Sequence, residues 1–169
     1  MGSGKTTVGN LLAARLGRPF VDNDVLLFAR TGCSAREIAA AEGADGLHRH
    51  EAEALVDALG GSVPSVIAAA AAAPAAPGVA AALRDHDVVY LHISPAVLAD
   101  RLAGAIDDGH RPFVEHDAPS VLAAQYAARD GLYRARADVT VEADRDTPAV
   151  VVDEISSALA RRASRTPPG

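Results

Sequence analysis

The chain has 169 residues, enough for one domain with a sizeable core and too few for two ordinary ones. Hydrophobic residues make up 49% and aromatics only 4%, so disorder is disfavoured and the core is expected to be built from Ala, Val and Leu. A formal charge of -6, from 16 basic and 22 acidic residues, argues against a general nucleic-acid binder and for a soluble, cytoplasmic protein that can still hold an anionic small substrate through local arginines.

The chain opens in a glycine-rich loop, Gly2-Ser3-Gly4-Lys5-Thr6-Thr7. A helix is predicted over residues 6–16, where Val8, Leu11, Leu12 and Leu16 are spaced for one buried face. A short strand is expected at 19–21, ending in Asp22-Asn23-Asp24. Helical sequence follows at 25–30, at 34–41 behind the capping box Ser34-Ala35-Arg36-Glu37, and at 47–59, where Gly60-Gly61 stops it. Residues 65–69 read as a buried strand, followed by an alanine-rich turn and a helix over 79–83. Residues 87–93 form the clearest strand in the sequence, and Ser94 with Pro95 opens a helix over 96–105. Residues 107–119 are polar and turn-rich, a candidate mobile loop. A helix at 121–131, a strand at 139–142 and a closing helix at 147–162 complete the order, and a disordered tail is expected at 164–169.

Strands alternating with helices imply an α/β fold with a mostly parallel sheet covered on both faces, in a single domain. Nothing at the start reads as a signal peptide. The most apolar run, 66–82, is mostly alanine and is broken by Pro74, Pro77 and Gly78, so no membrane span is expected. The single cysteine, Cys33, supports neither an intrachain disulfide nor a metal cluster.

The opening loop carries the most specific chemistry. A Walker A phosphate loop reads Gly, four residues, then Gly-Lys-Ser/Thr between a strand and a helix. Gly4-Lys5-Thr6 supplies its end, and the first glycine would fall before Met1. Gly2 and Gly4 permit the tight path that turns amides toward phosphates, and the helix N-terminus adds positive potential. Lys5 would reach the β and γ phosphates, and Thr6 would offer a hydroxyl to Mg2+. Lys5 is the only lysine in the chain, retained where a compact point charge suits phosphates. The interior strand that precedes such a loop is expected upstream of Met1, unless the chain is a truncated product that folds poorly.

From Met1 to about Leu159 the sequence resembles the shikimate kinase family. The opening residues resemble that family's phosphate loop, with Gly2, Ser3, Gly4, Lys5, Thr6 and Thr7 implied to bind ATP. Phe20-Val21-Asp22-Asn23-Asp24 is similar to its Phe-x-Asp-x-Asp segment, which implies that Asp22 supports magnesium and Asp24 binds substrate hydroxyls. Gly32 and Ile38 match the linker into a substrate-binding helical segment, residues 25–60. Arg111-Pro112-Phe113-Val114 resembles the lid, with Arg111 reaching the transferred phosphate. Arg129 and Tyr133 resemble an Arg-x-x-x-Tyr segment whose arginine holds the substrate carboxylate, and Arg101 sits where the family places an arginine near adenine. The resemblance implies a three-layer P-loop kinase fold that acts on a small-molecule substrate, with a monomer as the default.

Two places depart from the family pattern on the substrate side. Leu47-His48-Arg49-His50-Glu51 puts His48 where a second carboxylate-binding arginine is expected, and a neutral imidazole cannot form the bidentate pair. Ala70, Ala71 and Ala72 replace three glycines, and their methyl groups would fill the substrate space or forbid the turn. The residues therefore leave two further readings open: a kinase of another polyol or hydroxy acid, and a non-catalytic nucleotide-binding descendant. Individually, Asp22 could be a helix cap, Arg111 a solvated surface residue, and Arg129 a surface partner of Asp130 or Glu142.

Overall fold

In a computed structural model of the protein, the residues described are 3–103, 118–144 and 146–165. Helix α1 (Lys5–Leu16) starts after Gly4 and ends at Gly17, both in the left-handed conformation that favours glycine. It buries Val8, Gly9, Leu12 and Ala13, whereas Leu11 and Leu16, expected on the buried face, are exposed. The small side of the helix turns inward because Gly9 meets the Phe20 ring: a Cβ there would lie 2.4 Å from it.

Strand β1 (Phe20–Asp22) runs straight into α2 (Asn23–Thr31), whose N-cap is Asp22. The Asp22 carboxylate accepts from the Asp24 amide at 3.3 Å, so the helix begins two residues before the expected Val25. Helix α3 (Ala35–Leu59) opens with the predicted capping box between Ser34 and Glu37 and breaks at Gly43, with φ 74 and ψ -172. That break is why the sequence reads as two helices.

Strand β2 (Val66–Ala68), a 3-10 turn at Ala73–Ala75, α4 (Val79–Ala82) and a second turn at Leu83–Asp85 lead to β3 (Val89–His92). Helix α5 (Pro95–Ala103) follows, then α6 (Ala118–Arg136), β4 (Val139–Glu142) and α7 (Pro148–Ala163). Gly131 does not end α6, which runs five residues past the expected stop. Tyr133 and Arg134 in that extra length have partners on neighbouring segments.

The strands described make two parallel pairs, β1 with β2 (Phe20 beside Val66) and β3 with β4 (Val89 beside Val139). Alternation sets the faces. Val89 and Leu91 pack with Val8, Leu12, Val141, Val151 and Ile155 in a cluster between the strands and α1 with α7. Val66 joins that cluster, while Ile67 turns the other way onto Ala52, Leu55 and Val79 of α3 and α4. Helices thus cover both faces. No hydrogen-bonded pairing joins β2 to β3 among the described residues. A cleft of about 720 Å³ lies between them, lined by Val8, Leu12, Val66, Val89, Leu91 and Ile93, with Ser3 and Lys5 also at its wall. Among the described residues, no helix is long and apolar enough to cross a membrane.

Candidate active site

The phosphate-loop residues converge with the first aspartate at the head of α1. The Thr6 hydroxyl donates to Asp22 Oδ2 at 2.9 Å, while Asp22 Oδ1 caps α2. Asp22 is therefore both a helix cap and the partner of the loop threonine, and the cap fixes the carboxylate against Thr6. Asn10 Nδ2 donates to the Thr6 carbonyl at 2.8 Å and tightens the same turn. Asn23 is buried and its side-chain amide finds no partner among the described residues.

Lys5, the first residue of α1, sits among carboxylates. Burial lowers its ammonium pKa, and Asp22, Asp24 and Glu51 oppose that shift. The converse holds for Glu51 on α3, whose pKa is raised to about 7 by burial and then by the Asp24 charge, with Arg129 and Lys5 pulling it back. One electrostatic neighbourhood thus joins the loop lysine, the second aspartate, Glu51 and Arg129, which come from α1, α2, α3 and α6.

Arg129 connects this neighbourhood to two cavities. His48, Ala72 and Arg129 line a cavity of about 690 Å³, together with Arg49 and Gly78. Arg49, next to His48, points to Glu42 at 2.6 Å, and His50 reaches the same carboxylate at 3.2 Å. Ala70 and Ala71 border the larger cleft beside Arg129 and Tyr133. The turn is made with Ala72 in ordinary right-handed backbone, φ -82 and ψ -25, so alanine is accommodated at that position. The Ala71 carbonyl accepts from the Tyr133 hydroxyl. Asp130 and Glu142 pair with Arg134 and not with Arg129, because Arg134 lies one turn from Asp130 on the same face of α6. Arg101 donates to the carbonyls of Ala143 at 2.9 Å and Asp144 at 3.3 Å, which ties α5 to the turn after β4. Gly2 and Arg111 lie outside the described residues.

Residues 1–160 match the family described as shikimate kinase. The chain belongs to the shikimate kinase family. It is 39% identical to the shikimate kinase of Symbiobacterium thermophilum over 166 residues, covering 98% of this chain and 95% of that protein. It is 38% identical to the Mycobacterium tuberculosis shikimate kinase over 159 residues, covering 94% of this chain and 88% of that protein. Its fold superposes on the Acinetobacter baumannii shikimate kinase in complex with shikimate with a TM-score of 0.82, at 26% identity, over 96% of this chain and 89% of that one. The Bacteroides thetaiotaomicron shikimate kinase gives a TM-score of 0.83 at 25% identity, over 95% and 94% of the two chains.

Glu51 was visible in the sequence only as the last residue of the segment that carries His48. What singles it out is three-dimensional: α3 carries it into the field of Asp24 and Lys5. Its raised pKa has a consequence for the stability of this family member. Between its ordinary value of 4.5 and about 7, the folded chain binds more protons at Glu51 than the unfolded chain does. This contribution is therefore lost as pH rises through that window. In full, such a shift is worth roughly 3 kcal/mol, and about half of that is expected for a carboxyl that keeps part of its surface in water. Glu51→Gln is thus expected to raise Tm relative to the parent at pH 8 and to leave it nearly unchanged at pH 4.5. Thermal melts at both pH values check this, and an equal effect at both would refute it.

Proposed function

We propose that the chain phosphorylates a hydroxyl of shikimate, with ATP as donor, to give shikimate 3-phosphate. The observation that carries this reading is the placement of Thr6, Asp22 and Lys5 at the head of α1, with Asp24, Glu51 and Arg129 in the same electrostatic neighbourhood, in a member of this family. The site fits the donor. A left-handed Gly4 opens a helix whose first amides are free for phosphate oxygens. Thr6 and Asp22 offer hard oxygen donors of the kind that suits Mg2+ shared with phosphates. When bound, ATP supplies the phosphoryl group and magnesium neutralises its charge.

The roles proposed for the side chains rest on the resemblance to the family and, for the described residues, on their positions. Lys5 and the loop residues Ser3, Gly4, Thr6 and Thr7 hold the phosphates, and Asp22 orients Thr6 for the cation. Asp24 accepts the proton of the substrate hydroxyl, helped by Lys5, which holds negative charge nearby. Arg129 pairs with the substrate carboxylate, a charge-assisted contact that selects a hydroxy acid over a neutral polyol. His48, Ala70, Ala71 and Ala72 shape the wall around it. Arg111 is proposed to close over the transferred phosphate, and Arg101 to lie near adenine.

A coupled assay of ATP consumption with magnesium tests the reading. Turnover that requires shikimate is expected. Tight ATP binding in a folded chain with no shikimate-dependent turnover would overturn it. A gain-of-affinity variant probes the carboxylate side separately. His48→Arg puts a guanidinium into the cavity that Arg129 lines, and is expected to lower the shikimate KM by roughly 10-fold, the size of one added charge-assisted pair. Unchanged or weaker binding would show that His48 does not face the carboxylate.

A further inference from the structure

We propose that a ring of polar side chains, His92, Tyr126, Asp130, Tyr90, Arg134 and Glu142, is the positioning device that seats α6 on the sheet and so aims Arg129 at the substrate. This rests on the shikimate-phosphorylating reading for its kinetic consequence and on geometry alone for its structural one. None of these six residues is in the phosphate loop or has been given a substrate contact, although Asp130 lies within the Arg129–Tyr133 segment.

The ring closes on itself. His92, at the end of β3, is buried, 8% exposed, and its Nδ1 meets Glu142, its neighbour on β4. A carboxylate only accepts, so Nδ1 carries the proton, and in the neutral ring Nε2 accepts from the Tyr126 hydroxyl at 2.8 Å. Two residues back on the same strand face, the Tyr90 hydroxyl donates to Asp130 Oδ1 at 3.0 Å. Burial, and then this bond, raise the phenol's pKa and keep it a donor. Arg134 donates to Asp130 Oδ2 at 3.0 Å and to Glu142 Oε1 at 3.3 Å, and the circuit closes where Asp130 Oδ1 lies 3.7 Å from His92 Nε2. Tyr90 also makes edge contacts with the rings of His92 and Tyr133.

Helix α6 also packs against α5 and the turn at Ala73–Ala75, but its described contacts with β3 and β4 are polar. Among the described side chains, none on α6 belongs to any of the three apolar clusters. Tyr126, Asp130, Tyr133 and Arg134 lie on one face at helical spacing, so the contact of α6 with β3 and β4 is polar and directional. Arg129 is one residue from Asp130, so the rotation that the ring fixes is the rotation that aims the guanidinium. Apolar packing tolerates sliding, whereas a satisfied polar network specifies one arrangement.

The test uses His92→Phe, which keeps the ring volume and deletes both hydrogen bonds, and His92→Gln, which keeps a polar group within reach of Tyr126. His92→Phe is expected to raise the shikimate KM by roughly 10-fold, the size of a lost bond in a charged network. kcat and the ATP KM are expected to stay within about twofold, and His92→Gln to recover most of the loss. Amide exchange across residues 126–134 should quicken at least about 10-fold in His92→Phe and return in His92→Gln. Equal changes in both KM values, or unchanged exchange in α6, would overturn the proposal. If His92→Phe does not fold, Tyr90→Phe removes one hydroxyl and is expected to raise the shikimate KM about threefold, and no change there counts against the ring. A parent chain without shikimate-dependent turnover would sink the functional reading instead, and the exchange arm alone would then decide whether the ring holds α6.

Discussion

Replacing Lys5 with alanine is expected to lower kcat/KM by at least about 10³-fold, the largest single-residue effect on activity anticipated in this chain. The ammonium stands at the first position of α1, where burial weakens its hold on the proton and three carboxylates, Asp22, Asp24 and Glu51, offset only part of that effect. Removing it takes away the side-chain cation proposed to meet the β and γ phosphates and leaves those carboxylates to repel them. Lys5→Arg is expected to rescue little, because a planar guanidinium is broader than an ammonium and the site is crowded. The chain uses arginine at every other Lys/Arg position, so the lysine here reflects a requirement of the place and not a habit of composition. Steady-state kinetics with both variants check this, and a Lys5→Arg enzyme within tenfold of the parent would show that charge alone suffices.

An added apolar strand is expected to give the largest gain in stability. Extending the chain ahead of Met1 by a segment such as Val-Val-Leu-Val-Gly supplies side chains for the cleft between β2 and β3, whose wall includes Val8, Leu12, Val66, Val89, Leu91 and Ile93. Ser3 and Lys5 stand at that wall, so a strand leading into them needs no long connection. Burying three or four such side chains is worth about 2 kcal/mol each, and ordering the backbone costs about 1.5 kcal/mol per residue. New ladder hydrogen bonds add about 1 kcal/mol apiece. The surplus of a few kcal/mol corresponds to a rise in Tm of about 10 °C in a domain of this size. A Gly-Ser extension of equal length should give no rise, and a proline in the middle of the apolar one should remove most of it. Hydrogen exchange should slow at Val66–Ala68 and Val89–His92. A Tm unchanged by the apolar extension would refute the idea that the cleft accepts a strand.

Much of this shikimate-kinase-family protein was decided by the sequence itself. The phosphate loop, the helix behind it, the Ser34 capping box and the strand ending at His92 depend on residues close together in the chain, and local rules fix them. Asp22 at the end of β1 and Asp24 just beyond it stand out in the sequence for the same reason. Only the tertiary structure could decide which face of α1 is buried, because the Phe20 ring over Gly9 outweighs the leucine pattern. It also decided that Asp22 serves Thr6 and caps α2 at once. The environment of Glu51 and the polar ring under α6 belong to the same class. Residues separated by 34 to 50 positions meet at His92, and a carboxyl on α3 holds its proton more tightly because folding buries it and brings the charge of Asp24 beside it. Short-range propensity acts along the chain, whereas burial and Coulomb fields act through space, and the second kind of interaction has no signature until the chain has folded.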